Sequence, residues 1–258
     1  MIRNANPLDK IPVLKFCKDT FSWGDYVEQV WNYWISEGNL LLFEEQVPAG
    51  ICHAFYTKDQ VWIEGIRVSP ISRRKKIASK LISHAESLGK KKNVSHSYML
   101  IDVENIASLS LANSLGYEVH QTWNFYSILP KINLDYDVSY EKPLNCKLYP
   151  KYVKSWRWFT LDDITLSTLY KENKIVKSSM CGKESLAILT DSEHFDKTLI
   201  VTLFSESHDT AVQILSFVQN YGKKENYERI QILSMDKLST FDSLEFRISF
   251  HLMKKFLV

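Results

Sequence analysis

The stretch VWIEGIRVSPISRRKKIASKLISHAESLG, residues 61–89, decides how the chain folds. Trp62, Ile63, Ile66 and Val68 make a β-type run, and Pro70 ends it because proline has no N–H for a ladder. Arg73, Arg74, Lys75 and Lys76 then put four positive charges into one turn. Ile77, Leu81, Ala85 and Leu88 recur at helical spacing, with Gly89 as the expected stop. A strand that feeds a helix through a cationic turn is suited to hold a phosphate. The first amide hydrogens of a helix have no internal acceptor, and the helix dipole adds partial positive charge at that end.

On the N-terminal side, residues 13–17 read as a short strand. In residues 27–38, Val27, Val30, Trp31 and Trp34 share one helical face and Gly38 stops the helix. The aromatic cluster of Phe21, Trp23, Tyr26, Trp31 and Trp34 reads as core. Residues 40–45 and 50–56 form a hairpin turning near Pro48, Ala49 and Gly50. On the C-terminal side, 97–103 is a strand, Ile106, Leu109, Ala112 and Leu115 mark a helix ending at Gly116, and 118–128 is a strand pair or one long strand. The order gives one parallel crossover, after Val68, in an otherwise antiparallel sheet.

At 258 residues the chain accommodates two domains. A net charge of +2 is too small to support nucleic acid as a general partner, so cationic residues matter only where they cluster. Cys17, Cys52, Cys146 and Cys181 have neither CxxC nor metal-ligand spacing, which fits buried thiols in a reducing compartment. With no leader-like start and no apolar run of spanning length, a cytoplasmic chain without membrane contact is the expectation.

Two motifs together resemble the GNAT superfamily of N-acetyltransferases. One is Val68-Ser-Pro70-Ile-Ser-Arg73-Arg-Lys-Lys76-Ile-Ala78. The other is Asn105-Ile-Ala-Ser108-Leu-Ser-Leu111-Ala112-Asn-Ser-Leu-Gly116-Tyr117. The resemblance implies a mixed α/β (α+β) fold, a mostly antiparallel sheet flanked by helices, and acetyl-CoA as co-substrate without a metal. It places Arg73, Arg74, Lys75, Lys76, Ile77, Ala78 and Ser79 at the pyrophosphate. It lays the pantetheine arm along Ile66, Arg67 and Val68, with Asn105, Ser108 and Leu111 near the thiol end. It also implies a base on strand 61–68. Glu64 is the first candidate, expected on the face shared with Trp62, Ile66 and Val68; Asp102 and Glu104 come second. The Val68 amide would take the oxyanion role, and Phe21, Trp23 and Tyr26 would contact the acceptor. Lys76 stands where the family has a loop glycine; it fits there if its backbone stays right-handed, and its ammonium would then add a phosphate contact. Ala112 stands where many members have a tyrosine acid, for which Tyr117 and Tyr126 are substitutes. His53 reads as structural.

The division expected is an acetyltransferase domain over 1–130, a linker over 131–149 around Pro130 and Pro143, and a smaller degenerate GNAT-like domain over 150–258. In the last, a helix over 160–170 capped by Thr160 or Asp162, a hairpin of 185–190 with 198–204, a helix over 210–223, a strand over 229–235, a short helix over 237–244 and a strand over 246–256 repeat the first order. The turn Ser205-Glu-Ser-His-Asp209 is acidic and would repel a pyrophosphate. The acceptor would be a small-molecule or protein amine, and a homodimer is allowed. The competing reading is a coenzyme A-binding sensor or interaction protein with impaired turnover.

Overall fold

Leu40, Leu41, Leu42 and Phe43 are buried in succession, which a strand achieves only when both faces of its sheet are covered. The computed structural model describes residues 1–18, 20, 24–141 and 151–257, and it covers both faces here. By internal contacts the chain divides into two compact units, Met1–His120 with His251–Val258, and Gln121–Phe250.

In the first unit β1 (Ile2–Asn4), β2 (Leu40–Glu44), β3 (Pro48–Tyr56) and β4 (Gln60–Val68) are consecutive antiparallel neighbours. β5 (His96–Asp102) lies parallel to β4, and the C-terminal end of β13 (Glu245–Phe256) lies beside β5. One face carries α3 (Ile77–Lys91), whose Ile77, Leu81, Ile82 and Ala85 pack with Leu41, Ala54, Val61 and Ile63. The other carries α1 (Lys10–Cys17) and α2 (Val27–Glu37), whose Val13, Cys17, Val30, Trp31 and Trp34 pack with Leu40, Leu42 and Ile51. α4 (Ile106–Ser114) follows β5 and leads into β6 (Glu118–Ile128), one unbroken strand.

Residues 13–17 are helical, not extended. Asn6 accepts from the Leu8 amide, Asp9 accepts from the Asn6 amide, and Pro7 begins a 3-10 turn running into α1. This capping supplies a start signal upstream of the apolar run, and Pro12 sits in the first turn, where its missing N–H costs nothing. Gly89 does not stop α3. The helix continues to Lys91, with Gly89 buried within it against Leu257, Tyr56 and Val61.

In the second unit β9 (Ile175–Met180), β10 (Lys183–Asp191) and β11 (Thr198–Ser205) are antiparallel, and α6 (His208–Lys224) crosses over to β12 (Arg229–Ser234), parallel to β11. β12 then pairs antiparallel with β6. α5 (Asp163–Lys171) is capped by Asp162, not Thr160, through the Thr165 amide. A hairpin of β7 (Lys151–Lys154) and β8 (Arg157–Thr160) turns on Ser155 and Trp156, both left-handed without glycine, which hid it from the sequence pattern. Residues 237–244 are not helical. Of the expected linker, residues 131–141 are in place on this unit: Ser139 bridges Lys177, and Tyr136 packs on Phe217. Cys146 and the rest of 142–150 lie outside the described residues. The last residues of the chain belong to the first unit because Met253 and Leu257 are buried in its core.

Candidate active site

β4 and β5 pair only over Gln60–Trp62 with His96–Tyr98. Beyond that point β4 continues to Val68 against β3 alone. The Ser69 amide donates to the Ala49 carbonyl at 2.9 Å, so Val68 and Gly50 form a non-hydrogen-bonded pair. By ladder alternation the Val68 amide then points away from β3, to the open side.

Two steps along β3, from Ile51 to His53, are matched by three along β4, from Glu64 to Arg67, which makes a bulge at Gly65. Gly65 has φ +63, and a Cβ there would lie 2.2 Å from the Trp34 ring. The bulge reverses the strand's facing. Ile63 lies in the core under α3, and Ile66 and Val68 pack against that same core. Glu64 is therefore not on the face of Ile66 and Val68; it lies with Trp62 on the α2 side, opposite His53. Strict alternation fails here because the extra residue shifts the pleat by one.

The helix start lies just past the end of this strand. Lys76 is the N-cap of α3 with φ 60 and ψ 24, and Arg74 is also left-handed at φ 65. The right-handed condition for Lys76 is not met: the chain keeps the left-handed conformation without the glycine. The first helical hydrogen bond runs from Lys80 N to Lys76 O, leaving the Ile77, Ala78 and Ser79 amides for an external acceptor. The side chains of Arg73, Arg74, Lys75 and Lys76 are exposed, with Lys75 3.3 Å from Glu45.

Asn105 caps α4, its Oδ1 accepting from the Ser108 amide at 3.1 Å. Ser108 and Leu111 are half-buried on the same helix, and Ala112 is buried. Tyr117 is not poised as an acid. Its hydroxyl sits 2.5 Å from Ser97 Oγ and donates to Glu86 at 2.7 Å, and Lys255 pairs with Glu86. Burial, then the Glu86 charge, pushes this phenol far above its ordinary range. Tyr126, in the second unit, accepts from the Leu238 amide.

Glu64 has a partner at each carboxyl oxygen. Its Oε1 is 2.9 Å from His53 Nδ1, and its Oε2 accepts from Trp62 Nε1 at 3.1 Å. His53 is fully buried and stacks on Trp34 at 5.0 Å with a 10° interplanar angle. Its Nε2 is 3.1 Å from the Gly38 carbonyl and 3.6 Å from Glu37 Oε2. Glu37, His53 and Glu64 bring three ligand atoms within 4.8 Å of one another. Glu64 faces Nδ1 and Glu37 approaches Nε2, and the two carboxylates come within 4.8 Å of each other. Sequence reading missed Glu37; its only signal is its place beside the helix-ending Gly38.

Arg67 is held by Asp25 at 2.6 and 3.1 Å, donates to the Ile66 carbonyl at 3.0 Å and lies over the Tyr26 ring at 5.3 Å. Burial foremost raises the Tyr26 pKa, so its phenol stays neutral. The Asp25 partner fixes the chain entering α2 beside β4. Phe21 and Trp23, expected at the acceptor, lie outside the described residues. Asp102 caps its own turn, accepting from the Glu104 amide at 2.8 Å.

Residues 9–117 match the family model described as the Acetyltransferase (GNAT) family. A protein from Thermoplasma acidophilum, provisionally described as an acetyltransferase, superposes with a TM-score of 0.65 at 14% identity, covering 99% of each chain. A GCN5-related N-acetyltransferase from Sphaerobacter thermophilus gives 0.64 at 11% identity, covering 100% of this chain and 95% of that one. At these identities the structures show a shared fold. A search among curated proteins returns no match.

Proposed function

We propose, from the match of residues 9–117 to the GNAT acetyltransferase family, that the protein is an acetyl-CoA-dependent N-acetyltransferase acting on a primary amine. The observation that supports this reading is the union, on one strand, of an open ladder edge, a left-handed turn into a helix start, and a carboxyl group bound by Trp62 and His53. Acetyl-CoA, when bound, supplies the acetyl thioester. The Ile77, Ala78 and Ser79 amides, with Arg73, Arg74 and Lys76, face its pyrophosphate. The open edge of β4 from Ile66 to Val68 receives the amide-bearing arm as an added strand, and Asn105, Ser108 and Leu111 border its far end.

Glu64 takes the proton from the acceptor ammonium. An alkylammonium titrates near about 10.4, so at neutral pH the nucleophile exists only after that transfer. The outward-pointing Val68 amide donates to the oxyanion as the amine attacks. Tyr26, a neutral phenol over the Arg67 guanidinium, presents an aromatic wall, which favours acceptors with an apolar or aromatic part. The acceptor is a small molecule or a protein amine.

The second reading, a coenzyme A-binding protein without efficient turnover, is favoured by Ala112 in the buried core and by Tyr117 locked onto Glu86. Two measurements separate the readings. Acetyl-CoA raises the melting temperature under both. Product formation across a pool of amines, followed by mass spectrometry, occurs under the first alone; no acetylated product from any amine overturns it. No melting shift overturns both.

A further inference from the structure

The bulge at Gly65 puts Glu64 and Arg67 on one face of β4, although side chains three apart on a regular strand lie on opposite faces. Their ladder partners, His53 and Ile51, are two apart on β3, and Ile51 lies in the core under α1 and α2. A continuous line of contacts joins the two side chains. The Arg67 guanidinium lies over the Tyr26 ring at 5.3 Å, and Tyr26 meets Trp34 edge to face at 6.0 Å. Trp34 stacks on His53 at 5.0 Å, and His53 Nδ1 is 2.9 Å from Glu64. Every nitrogen of the guanidinium has an acceptor inside the protein. Asp25 Oδ2 accepts from Nε at 2.6 Å, Asp25 Oδ1 from Nη2 at 3.1 Å, and the Ile66 carbonyl from Nη1 at 3.0 Å. Asp25 Oδ1 also accepts from the Val27 amide at 3.1 Å, which ties the pair to the first residue of α2. The Asp25 and Arg67 side chains are 4% and 12% exposed, so water screens the pair weakly.

Two N–H groups of a guanidinium on two oxygens of a carboxylate is the arrangement by which arginine grips a carboxylate of any origin. Asp25 fills that fork from within the chain, and the two charges cancel. Beside Glu64, the face then offers the carboxyl group of Glu37, within 4.8 Å of it. A carboxylate on the carbon next to the reacting nitrogen would come to rest among like groups, where charge repels it. We infer that Asp25 is a specificity-determining residue, which by filling the Arg67 fork withholds the guanidinium from the substrate, so that the protein takes amines with no carboxylate beside the nitrogen and refuses free α-amino acids. For the substrate, the inference rests on the acetyltransferase reading with Glu64 as base; for the occupied fork, it rests on the Asp25–Arg67 geometry alone.

The test gives the full chain acetyl-CoA and a pool of amines in matched pairs, each amine with the α-amino acid that differs from it by one carboxylate, tyramine with tyrosine among them. In the native protein kcat/KM is expected to favour the amine of each productive pair by about tenfold or more. Asp25→Asn keeps an oxygen for the Val27 amide and frees the guanidinium charge. It is expected to shrink that preference by about tenfold, through a lower KM for the amino acid. Adding Arg67→Gln is expected to restore the preference. An amino acid used as well as its amine by the native protein overturns the inference, as does an unchanged preference in Asp25→Asn. A second measurement needs no turnover: melting temperature in sodium formate against sodium chloride at equal ionic strength. Formate is expected to raise the melting temperature of Asp25→Ala more than that of the native protein, and the excess is expected to vanish when Arg67→Gln is added. No such excess overturns the inference. No acetylated product from any amine overturns the functional reading and the substrate assignment with it, whereas the formate result still decides whether Arg67 is a carboxylate site held by Asp25.

Discussion

The two parallel crossovers of this chain look alike in sequence order and differ where it matters. β11 and β12 pair over six residues, Thr198–Leu203 with Arg229–Ser234, whereas β4 and β5 part after three, at Trp62 and Tyr98. The helix that follows β11 starts at Ser207, an ordinary cap whose side chain accepts from the Thr210 amide. The Ser205 amide of that turn is taken by Asp236 at 3.2 Å. The helix that follows β4 starts at a left-handed lysine with no side-chain cap. One crossover closes its ladder and satisfies its helix start internally. The other leaves both open, with cations nearby. The same βαβ plan thus makes a structural core in one unit and a ligand-ready edge in the other.

The comparison can be broken most severely at Glu64. Glu64→Gln keeps the size of the side chain and one acceptor oxygen and removes the proposed base. It is expected to lower kcat by about 10²–10⁴-fold with little change in KM for acetyl-CoA. An unaltered kcat moves the base elsewhere, with Asp102 and Glu104 next to test. Gly65→Ala attacks the opening itself, because the bulge needs φ +63 and the new Cβ meets the Trp34 ring. The expected loss is about 2–4 kcal/mol in denaturant unfolding, with weakened acetyl-CoA binding. A stable, tightly binding variant would show that the bulge tolerates a side chain.

Amide hydrogen exchange sharpens the contrast directly. Saturating acetyl-CoA is expected to slow exchange in residues 66–79 and leave 203–210 as they were. Equal protection in both places would mean that the second unit also binds. Smaller still is Lys76→Gly, which relieves a left-handed lysine and is expected to stabilise the protein by about 1 kcal/mol and to improve coenzyme A affinity. A gain in stability without a gain in affinity would assign the Lys76 ammonium a phosphate contact of its own.

A pH measurement probes the closed side of the first unit. The Tyr117 phenol has its pKa raised by burial and by Glu86, so the folded chain holds this proton more tightly than the unfolded one. Its stabilising contribution is complete below the unfolded value of about 10 and is lost as pH rises through and above it. The alkaline decline in melting temperature is expected to be shallower in Tyr117→Phe than in the parent chain.

Much of the fold and part of the site are legible in the order of residues alone. The motif around Val68 and Pro70, the spacing of Ile77, Leu81 and Ala85, and Asn105 ahead of its helix are local signals, and local signals survive folding. So does the acidic turn at 205–209. The losses have particular causes. The hairpin at Ser155 and Trp156 carries no glycine, so its turn leaves no trace in the pattern. Residues 13–17 are too short for β and α periods to separate, and the deciding Asn6 cap lies outside the apolar run. Residues 237–244 have helical spacing but do not form a helix.

By itself, then, the sequence determined that a strand enters a helix through a cationic turn, that a second βαβ unit follows with an acidic turn, and that a carboxylate stands on the central strand. Those are properties of neighbours along the chain. Tertiary structure decided which way that carboxylate faces. At the bulge, the Trp34 ring, contributed by α2, fills the space a side chain on Gly65 would need. The bulge turned Glu64 away from Ile66 and Val68 and toward His53. No spacing rule predicts this, because one inserted residue reverses the parity of a strand, and only the packing around it says where the insertion falls.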